Sequence, residues 1–241
     1  MKLAKIELTK KDVYKHGQQR GLSSDLSARY FIHAVLGELF AGRAKPADYQ
    51  DRGRAVRVLT YLERRPQDLA KMAASPESYE VARWDRCAVK DMPEEFPSGM
   101  ELRFDLRASP VVTKSSAGEG RNHKGEKKTW SSGTEMDAFL SQAWESEEND
   151  VTRQGAYRRW LERQLEGFAE LESFSLKQYS LPEMTRRVPD GDGGRRVTTF
   201  QNPDVAMTGT LLPKENFVSL LDRGVGHHKA FGYGMMKVRP A

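Results

Sequence analysis

The glycine-rich segment near the end of the chain combines side chains and backbone freedom suited to holding a phosphate. Residues 224–234 read GVGHHKAFGYG, so glycines surround two histidines and a lysine. Glycine lets a backbone approach a ligand closely and turn its N–H groups toward an anion. His227, His228 and Lys229 supply positive or switchable charge. The segment predicts a phosphate-binding loop; a plain glycine-rich turn before an edge strand is the alternative.

The Gly-x-Gly opening of this segment, at Gly224 and Gly226, superficially matches a dinucleotide-binding fingerprint. That motif requires a following helix and a further βαβ unit. Only residues 235–241 follow the segment in the sequence. We therefore expect Gly224 and Gly226 to let the backbone approach a phosphate chain closely rather than to bind a dinucleotide.

Arginines occur in groups along the chain, which matters more than the formal net charge of +5. Clustered arginines form charge-assisted, often bidentate contacts with phosphates. The same pattern is typical of solvated helix faces with paired acids, so each group has two interpretations. The groups are Arg52, Arg54, Arg57, Arg64 and Arg65; Arg153, Arg158, Arg159 and Arg163; and Arg186, Arg187, Arg195 and Arg196.

Several classes of protein are disfavoured by the composition. A single cysteine, Cys87, excludes an internal disulfide framework and a cysteine-based zinc site. His227 and His228 lack metal-ligand spacing to another candidate, so we expect no metal and no cofactor. The N-terminus is too short and too charged for a signal peptide, and no apolar run approaches the roughly 18 residues of a membrane span. The expected location is cytoplasmic.

The first half of the chain predicts a β-α-β-β-α-β order, the ferredoxin-like arrangement. Residues 3–8 alternate apolar and polar side chains, as a half-buried strand does. A polar loop is expected through residue 24, followed by a helix to about residue 39 with apolar side chains at helical spacing. Residues 55–62 predict another strand, and shorter segments follow at 69–73 and after Pro76.

Pro93 and Pro97 mark a predicted boundary between domains at 1–95 and 99–241. The second domain is also expected to be α+β, with an inserted helical arm near 121–150. Its predicted elements are a strand at 100–107, a mobile loop at 115–135, a helix at 138–144, an exposed acidic run at 145–150, a basic amphipathic helix at 153–165, strands at 173–179, 197–201 and 205–212, a hairpin-like turn at 190–194, a helix after Pro213, and a last strand at 235–238.

The glycine-rich loop, in such an α+β chain, resembles the signature loop of the RAMP superfamily of CRISPR repeat-RNA endoribonucleases, in particular the CasE processors of type I-E systems. Residues 103–114 (RFDLRASPVVTK) look like the start of that family's second domain. Residues 30–33 (YFIH) look like its first helix, and residues 189–195 (PDGDGGR) like its late hairpin. Four such landmarks in order are hard to obtain by chance.

The resemblance implies two tandem ferredoxin-like (RRM-like) domains that cut one phosphodiester beside a repeat hairpin. The ribose 2′-hydroxyl would attack the adjacent phosphate and leave a 2′,3′-cyclic phosphate and a 5′-hydroxyl. Tyr30 and His33 would line the cleavage site, and a spacing of three places both on one helical face. A histidine with an ordinary pKa of about 6.5 can act as base or acid. Lys229 or an arginine could stabilise charge on the phosphate.

The resemblance also implies partners. These are the stem-loop of CRISPR repeat RNA, retained after cleavage, and other subunits of an effector complex, with no membrane. An A-form stem is held mainly through its backbone and shape. The helix at 153–163 and the hairpin at 186–196 are the best candidates for that contact.

Two departures from the family's pattern affect the mechanism. Some relatives carry a further basic residue about one turn beyond the histidine, where this chain has Glu38. The arm near 121–150 resembles the helical finger of related type IV nucleases, in which cleavage relies more on arginines. Arg20 and Arg29 are therefore candidates for catalysis beside His33.

Other interpretations remain open. From composition alone, His33 is more typical of a buried histidine and Tyr30 of a core aromatic, and His16 of an incidental loop residue. A non-catalytic, hairpin-binding scaffold subunit with the same fold is the second functional hypothesis. A third is a basic nucleic-acid-binding protein unrelated to CRISPR systems, without preference for a stem-loop.

Overall fold

Two four-stranded antiparallel sheets with the same strand order form the frame of the molecule. The computed structural model describes residues 1–44, 46–97, 99–146, 150–191 and 194–241. In chain order, the elements of the first half are β1 (Lys2–Thr9), α1 (Lys10–Gln19), α2 (Ala28–Leu39), β2 (Ala47–Arg52), β3 (Ala55–Leu62), α3 (Pro66–Ala73), α4 (Pro76–Tyr79) and β4 (Ala88–Asp91), with a 3₁₀ turn at Trp84–Arg86. The strand order is β2-β3-β1-β4. This is a βαββαβ unit, as predicted.

The second half repeats this plan around two insertions. Its elements are β5 (Leu102–Ala108), β6 (Val111–Thr113), β7 (Gly118–Arg121), β8 (Lys127–Trp130), β9 (Glu135–Asp137), α5 (Ala138–Glu145), α6 (Arg153–Leu165), β10 (Ala169–Ser180), β11 (Glu183–Pro189), β12 (Arg195–Gln201), β13 (Asp204–Pro213), α7 (Phe217–Arg223) and β14 (Met236–Pro240), with a 3₁₀ turn at Lys229–Phe231. The main sheet has the order β10-β13-β5-β14. Pairs β6-β9, β7-β8 and β11-β12 lie outside it. The predicted α+β class with two ferredoxin-like units is confirmed.

Sequence periodicity explains how the first strand and its covering helix are oriented. Ala4, Ile6 and Leu8 of β1 are buried, as the alternation of residues 3–8 predicts. Helix α2 buries an apolar stripe on the same core, of which Phe31 and Val35 are members. Burial of this stripe fixes which face of α2 remains open.

The opposite face of the first sheet packs into the core of the second half. Tyr61 of β3 is buried in that core, and its hydroxyl donates to the Met236 carbonyl at 2.8 Å. Leu3 and Leu59 pack against the same cluster. Lys237 Nζ lies 2.7 Å from Asp48, which adds an ion pair across the contact. The two sheets therefore share one of the molecule's two main apolar cores.

Several local predictions are corrected by the structure. The polar loop expected through residue 24 contains α1, β2 was not predicted, and β11 was implied only by the hairpin expected at 186–196. The supposed mobile loop at 115–135 contains the β7-β8 hairpin, so the described residues of the arm near 121–150 are helical only in α5. Residues 147–149 of the acidic run, and residues 192–193 of the predicted hairpin turn, lie outside the described part of the chain.

Candidate nucleic-acid interface

Helix α2 presents Tyr30 and His33 on the face that its apolar stripe leaves open. Both side chains are half-buried, whereas the neighbouring Phe31 and Ile32 are buried in the core. The rings of Tyr30 and His33 lie 6.4 Å apart in an edge arrangement. The structure thus places His33 outside the core that composition alone suggested for it.

The glycine-rich loop reaches this face through Phe231. The Phe231 ring lies 6.4 Å from the Tyr30 ring and 6.4 Å from the His33 ring. Phe231 and Tyr233 are buried in a small cluster with Met184, against which Tyr30 packs. Side chains about 200 positions apart in the sequence therefore line one site.

Close packing explains why glycine is needed at two positions of the loop. Gly226 has φ +72°, and a Cβ there would lie 2.6 Å from the Trp160 ring. Gly232 has φ +83°, and a Cβ there would lie 2.5 Å from the Tyr49 ring. Positive φ is strained for other residues. The loop is thus a fixed part of the fold that rests on both halves of the molecule.

Arg29 joins α2 to this loop and to a buried acid. Its Nη1 donates to the Phe231 carbonyl at 2.5 Å, and its Nη2 lies 3.4 Å from Asp204 Oδ2. Its guanidinium also lies 4.7 Å from the centre of the Tyr233 ring. Arg107 binds the same carboxylate through two nitrogens, with Nε at 2.7 Å from Oδ1. These contacts make Arg29 a positioning residue.

Arg20 follows the last residue of α1 and contacts a different face of α2. Its Nη2 donates to Glu38 Oε1 at 2.6 Å, and His16 Nε2 lies 2.9 Å from Glu38 Oε2. Burial opposes ionisation of Glu38, but hydrogen bonds from His16, Ser75 and Arg20 hold the pKa of this carboxyl below its usual value. Glu38 is five residues beyond His33, which is about 140° around a helix. The structure does not bring Arg20 to the face of Tyr30 and His33.

The two loop histidines bind the inserted arm through Glu135. His227 Nδ1 lies 3.0 Å from Glu135 Oε1, and His228 Nε2 lies 3.3 Å from Oε2. The Asn202 amide nitrogen lies 2.7 Å from the same Nε2, so the tautomer of the ring decides whether this nitrogen accepts from Asn202 or donates to Glu135. Burial lowers the pKa of His228, although Glu135 opposes that shift. His228 is therefore an anchor of the loop, while His227 is exposed.

Lys229 starts the short turn that carries Phe231. Burial lowers the pKa of its ammonium, and the positive charge of Arg223 adds to the effect. A partly desolvated ammonium in the turn that carries Phe231 is suited to an anionic phosphate.

The β11-β12 hairpin lies against both the glycine-rich loop and the segment before α2. The Ser27 amide donates to Thr185 Oγ1 at 2.6 Å, and Arg187 donates to the Gly21 carbonyl. Arg186 stacks over Phe200, 5.1 Å from the ring centre. Arg195 and Arg196 are exposed on β12. The hairpin thus places exposed arginines beside the site.

The arginines of α6 have two different roles. Arg153 donates to Asp137 at 3.0 Å and lies over the Tyr179 ring, so it stabilises the fold. Arg158 and Arg159 are exposed but bonded to Glu162 and Gln142 respectively. The remaining member, Arg163, is exposed beside a cavity of about 750 Å³.

Sequence reasoning did not identify the acids and amides that hold the site. Asp204, Asn202 and Glu135 are polar residues without a motif, and only their buried or half-buried contacts reveal them. A charged residue directly before an apolar strand was the one available signal for Asp204. Among the described residues, no group of three or more His, Cys, Asp or Glu side chains is arranged to hold a metal ion. No helix in the described ranges is long and apolar enough to cross a bilayer.

Comparisons with known proteins agree with this architecture. A family model described as CRISPR associated protein matches residues 1–240. Cas6e from Escherichia coli str. K-12 aligns with a TM-score of 0.60 and 19% identity over 100% of both chains. The CRISPR endoribonuclease Cse3 bound to 19 nt RNA aligns with a TM-score of 0.59 and 20% identity, also over 100% of both chains. Thermus thermophilus Cse3, bound to an RNA representing a pre-cleavage complex, aligns with a TM-score of 0.54 and 16% identity over 99% of both chains.

A comparison with curated protein sequences gave no match. At these identities the structural matches establish a shared fold, while the family model spans nearly the whole chain. The resemblance seen in the sequence is confirmed for family and fold. The chain belongs to the family of CRISPR associated proteins, with the fold of the Cas6e and Cse3 endoribonucleases.

Proposed function

We propose that the protein is a metal-independent endoribonuclease that cuts CRISPR repeat RNA beside its stem-loop. The observation that carries this proposal is the Tyr30–His33 pair, half-buried and facing Phe231 of the glycine-rich loop. The product would be mature crRNA with a 2′,3′-cyclic phosphate, and the other fragment would carry a 5′-hydroxyl.

The residues divide the reaction between proton transfer and charge stabilisation. His33 removes the proton of the attacking 2′-hydroxyl or donates one to the leaving oxygen, which contributes roughly 10²–10⁴-fold. The Tyr30 hydroxyl lies on the same face and orients the scissile phosphate. Lys229 stabilises the charge that develops on the phosphate oxygens. Arg29 acts through its bonds to the loop and Asp204.

The stem would lie along the exposed arginines of the β11-β12 hairpin and of α6. Arg195, Arg196 and Arg163 are exposed in these elements, where phosphate contacts fix register without reading bases. Relatives with this fold include Cse3 bound to RNA and a chain of a CRISPR RNA-guided surveillance complex. We propose that this protein likewise retains its product and joins an effector complex.

A cleavage assay in EDTA tests the proposal. The substrate is the repeat RNA of the adjacent CRISPR array, and product ends are mapped. We expect one cut that leaves a cyclic phosphate and that disappears when the ribose at the cut carries no 2′-hydroxyl. Tight binding of the hairpin without any cut by the wild type would instead support the non-catalytic scaffold. Equal binding of stem-loop and unstructured RNA would support a general nucleic-acid-binding protein.

A further inference from the structure

A second cavity, of about 300 Å³, lies between α1, α2 and β2 and has no role in the reaction described above. Its volume suits a single nucleotide rather than a helical stem. It also adjoins the contact between the two halves of the molecule, because Arg107 of β5 is part of its lining. Ligand cavities occur preferentially at such contacts.

The lining of this cavity is apolar and aromatic on one side. Val13, Ile32 and Val56 are each at least 95% buried and contribute to its wall. Tyr14 also lines it, remains 38% exposed, and packs against Phe31 with ring centres 4.9 Å apart. An exposed aromatic ring beside aliphatic side chains is a surface on which a nucleobase stacks, at about 1–3 kcal/mol per base.

Charged groups also line the cavity. Lys10, Arg29 and Arg107 are cations of the lining, and the carboxylates that pair with them are Asp51 and Asp204. Three cations against two carboxylates leave one positive charge, which suits a single phosphodiester. Asp51 is paired with Lys10 at 2.6 Å and would repel a phosphate at that end. The phosphate therefore belongs at the Arg107 end, where a third of the side chain is exposed.

The cavity is adjacent to the Tyr30–His33 face through Arg29. This residue lines the cavity, directly precedes Tyr30 on α2, and donates to the Phe231 carbonyl. Tyr49 of the lining donates to the Ala230 carbonyl at 3.0 Å. An RNA strand that leaves the cleavage face thus has a short path to the cavity.

We propose that this cavity binds one unpaired nucleotide of the RNA next to the stem, with its base against Tyr14 and its phosphate toward Arg107. The inference rests on the proposed function and adds a subsite to it. The same chemistry would accept a free nucleoside monophosphate, which the experiment separates.

The experiment measures the affinity of the full chain for three RNAs and for AMP. The first RNA is a bare stem-loop. The second is the stem-loop with an unpaired flank on its 5′ or 3′ side. The third is the stem-loop with the same flank made of abasic nucleotides. We expect one flank to tighten binding about tenfold, which corresponds to about 1.4 kcal/mol, and the abasic flank to lose this gain. Cross-linking of a 4-thiouridine in that flank should label the peptide that contains Tyr14.

Four variants give the cavity its test. Tyr14→Ala should abolish the gain, and Tyr14→Phe should keep it because the ring does the stacking. Asp51→Asn should increase the gain, because a repelling carboxylate is removed. Lys15→Gln is the matched control, since this exposed lysine is on the same helix but outside the lining. All four should bind the bare stem-loop as the wild type does.

Each outcome of these measurements supports or contradicts the nucleotide subsite. A flank gain that Tyr14→Ala removes supports the RNA subsite. AMP binding that Tyr14→Ala removes, without a flank gain, overturns the RNA assignment and makes the cavity a site for free nucleotides. Insensitivity of both measurements to Tyr14→Ala overturns the proposal. A wild type that neither binds nor cuts the stem-loop contradicts the proposed function, and the AMP measurement then still tests the cavity.

Discussion

Tyr30 and His33 share a helical face because three residues separate them, and this much follows from the sequence. Their contact with Phe231 could not be predicted, since the resemblance related Lys229 of the loop to the same phosphate but implied no role for Phe231. The role of Arg29 also required the structure. The resemblance to type IV nucleases made Arg29 a candidate for catalysis, whereas its hydrogen bonds to the Phe231 carbonyl and Asp204 favour a positioning role.

Asp204→Asn should destabilise the contacts that hold Arg29 and the loop, while leaving the affinity for the bare stem-loop nearly unchanged. The variant leaves Arg29 and Arg107 without their shared carboxylate, which is 5% exposed. We expect a loss of about 2–4 kcal/mol in the free energy of unfolding, below the value for a fully buried pair because Arg107 is partly exposed. Urea unfolding measures this loss.

Cleavage kinetics separate positioning from simple destabilisation in this variant. We expect kcat to fall at least tenfold at a temperature where the variant is folded, with the affinity for the bare stem-loop within threefold of wild type. Arg29→Lys should retain part of the cleavage rate, because lysine keeps the positive charge but lacks the planar set of N–H donors of a guanidinium. Unchanged kcat in folded Asp204→Asn would contradict the positioning role.

His228 should make the stability of the protein depend on pH below about 6.5. Its pKa is lowered in the folded state by burial, with Glu135, His227 and Arg186 as the charged groups around it. The unfolded chain therefore takes up a proton below the ordinary histidine pKa of about 6.5, whereas the folded chain does not. Stability is complete above that pH and is lost as the pH falls, by at most about 1.4 kcal/mol per unit.

Urea unfolding at pH 5.5 and 7.5 measures this dependence. His228→Gln should flatten it, because glutamine does not titrate and can still accept a hydrogen bond from Asn202. His227→Gln is the matched control, since the neighbouring ring is exposed and should leave the dependence in place. Equal dependence in wild type and His228→Gln would show that another group is responsible.

At the scale of elements, the strands that the sequence missed are those without apolar alternation. Strand β11 contains adjacent arginines and no apolar alternation, so only the hairpin expected at 186–196 indicated its pairing with β12. Helix α1 was hidden by its polar composition, because it buries only Val13, His16 and Gly17. A Cβ on Gly17 would lie 2.3 Å from the Phe31 ring, so glycine permits the close contact with α2.

The β11-β12 hairpin should contribute affinity through its exposed arginines. Arg195→Ala/Arg196→Ala removes two such charges, and each phosphate contact contributes roughly 0.7–0.9 to the slope of log affinity against log salt. We expect this slope to fall by roughly 1.5 in magnitude, with affinity reduced at least tenfold at low salt. Arg64→Ala/Arg65→Ala is the matched control, since these arginines are exposed in the first half, next to α3. Identical slopes for the two double variants would contradict a role for the hairpin.

At the scale of the whole molecule, two repeats of one fold share a core. The ferredoxin-like plan of the first half was predicted from the sequence, although α1 and β2 were missed, but the contact between the sheets was not predictable. It depends on Tyr61, Leu3 and Leu59, which face away from the helices of their own half. The division into domains at 1–95 and 99–241 remains a proposal.

Because the first sheet supplies part of the second core, we expect a single unfolding transition. Tyr61→Ala should lower the free energy of unfolding by about 3–5 kcal/mol, through the cavity it creates. Tyr61→Phe should cost about 0.5–1.5 kcal/mol, through the lost hydrogen bond to Met236. Calorimetry that resolves two independent transitions in the wild type would contradict the shared core.

The catalytic role of His33 is tested most directly by single-turnover cleavage of repeat RNA by wild type and His33→Ala, with hairpin affinity measured in parallel. We predict that His33→Ala lowers the cleavage rate roughly 10²–10⁴-fold and keeps the affinity for the hairpin within threefold of wild type. Cleavage by His33→Ala at the wild-type rate would contradict it. Loss of cleavage in Arg20→Ala/Arg29→Ala beside an active His33→Ala would place the chemistry on arginines instead.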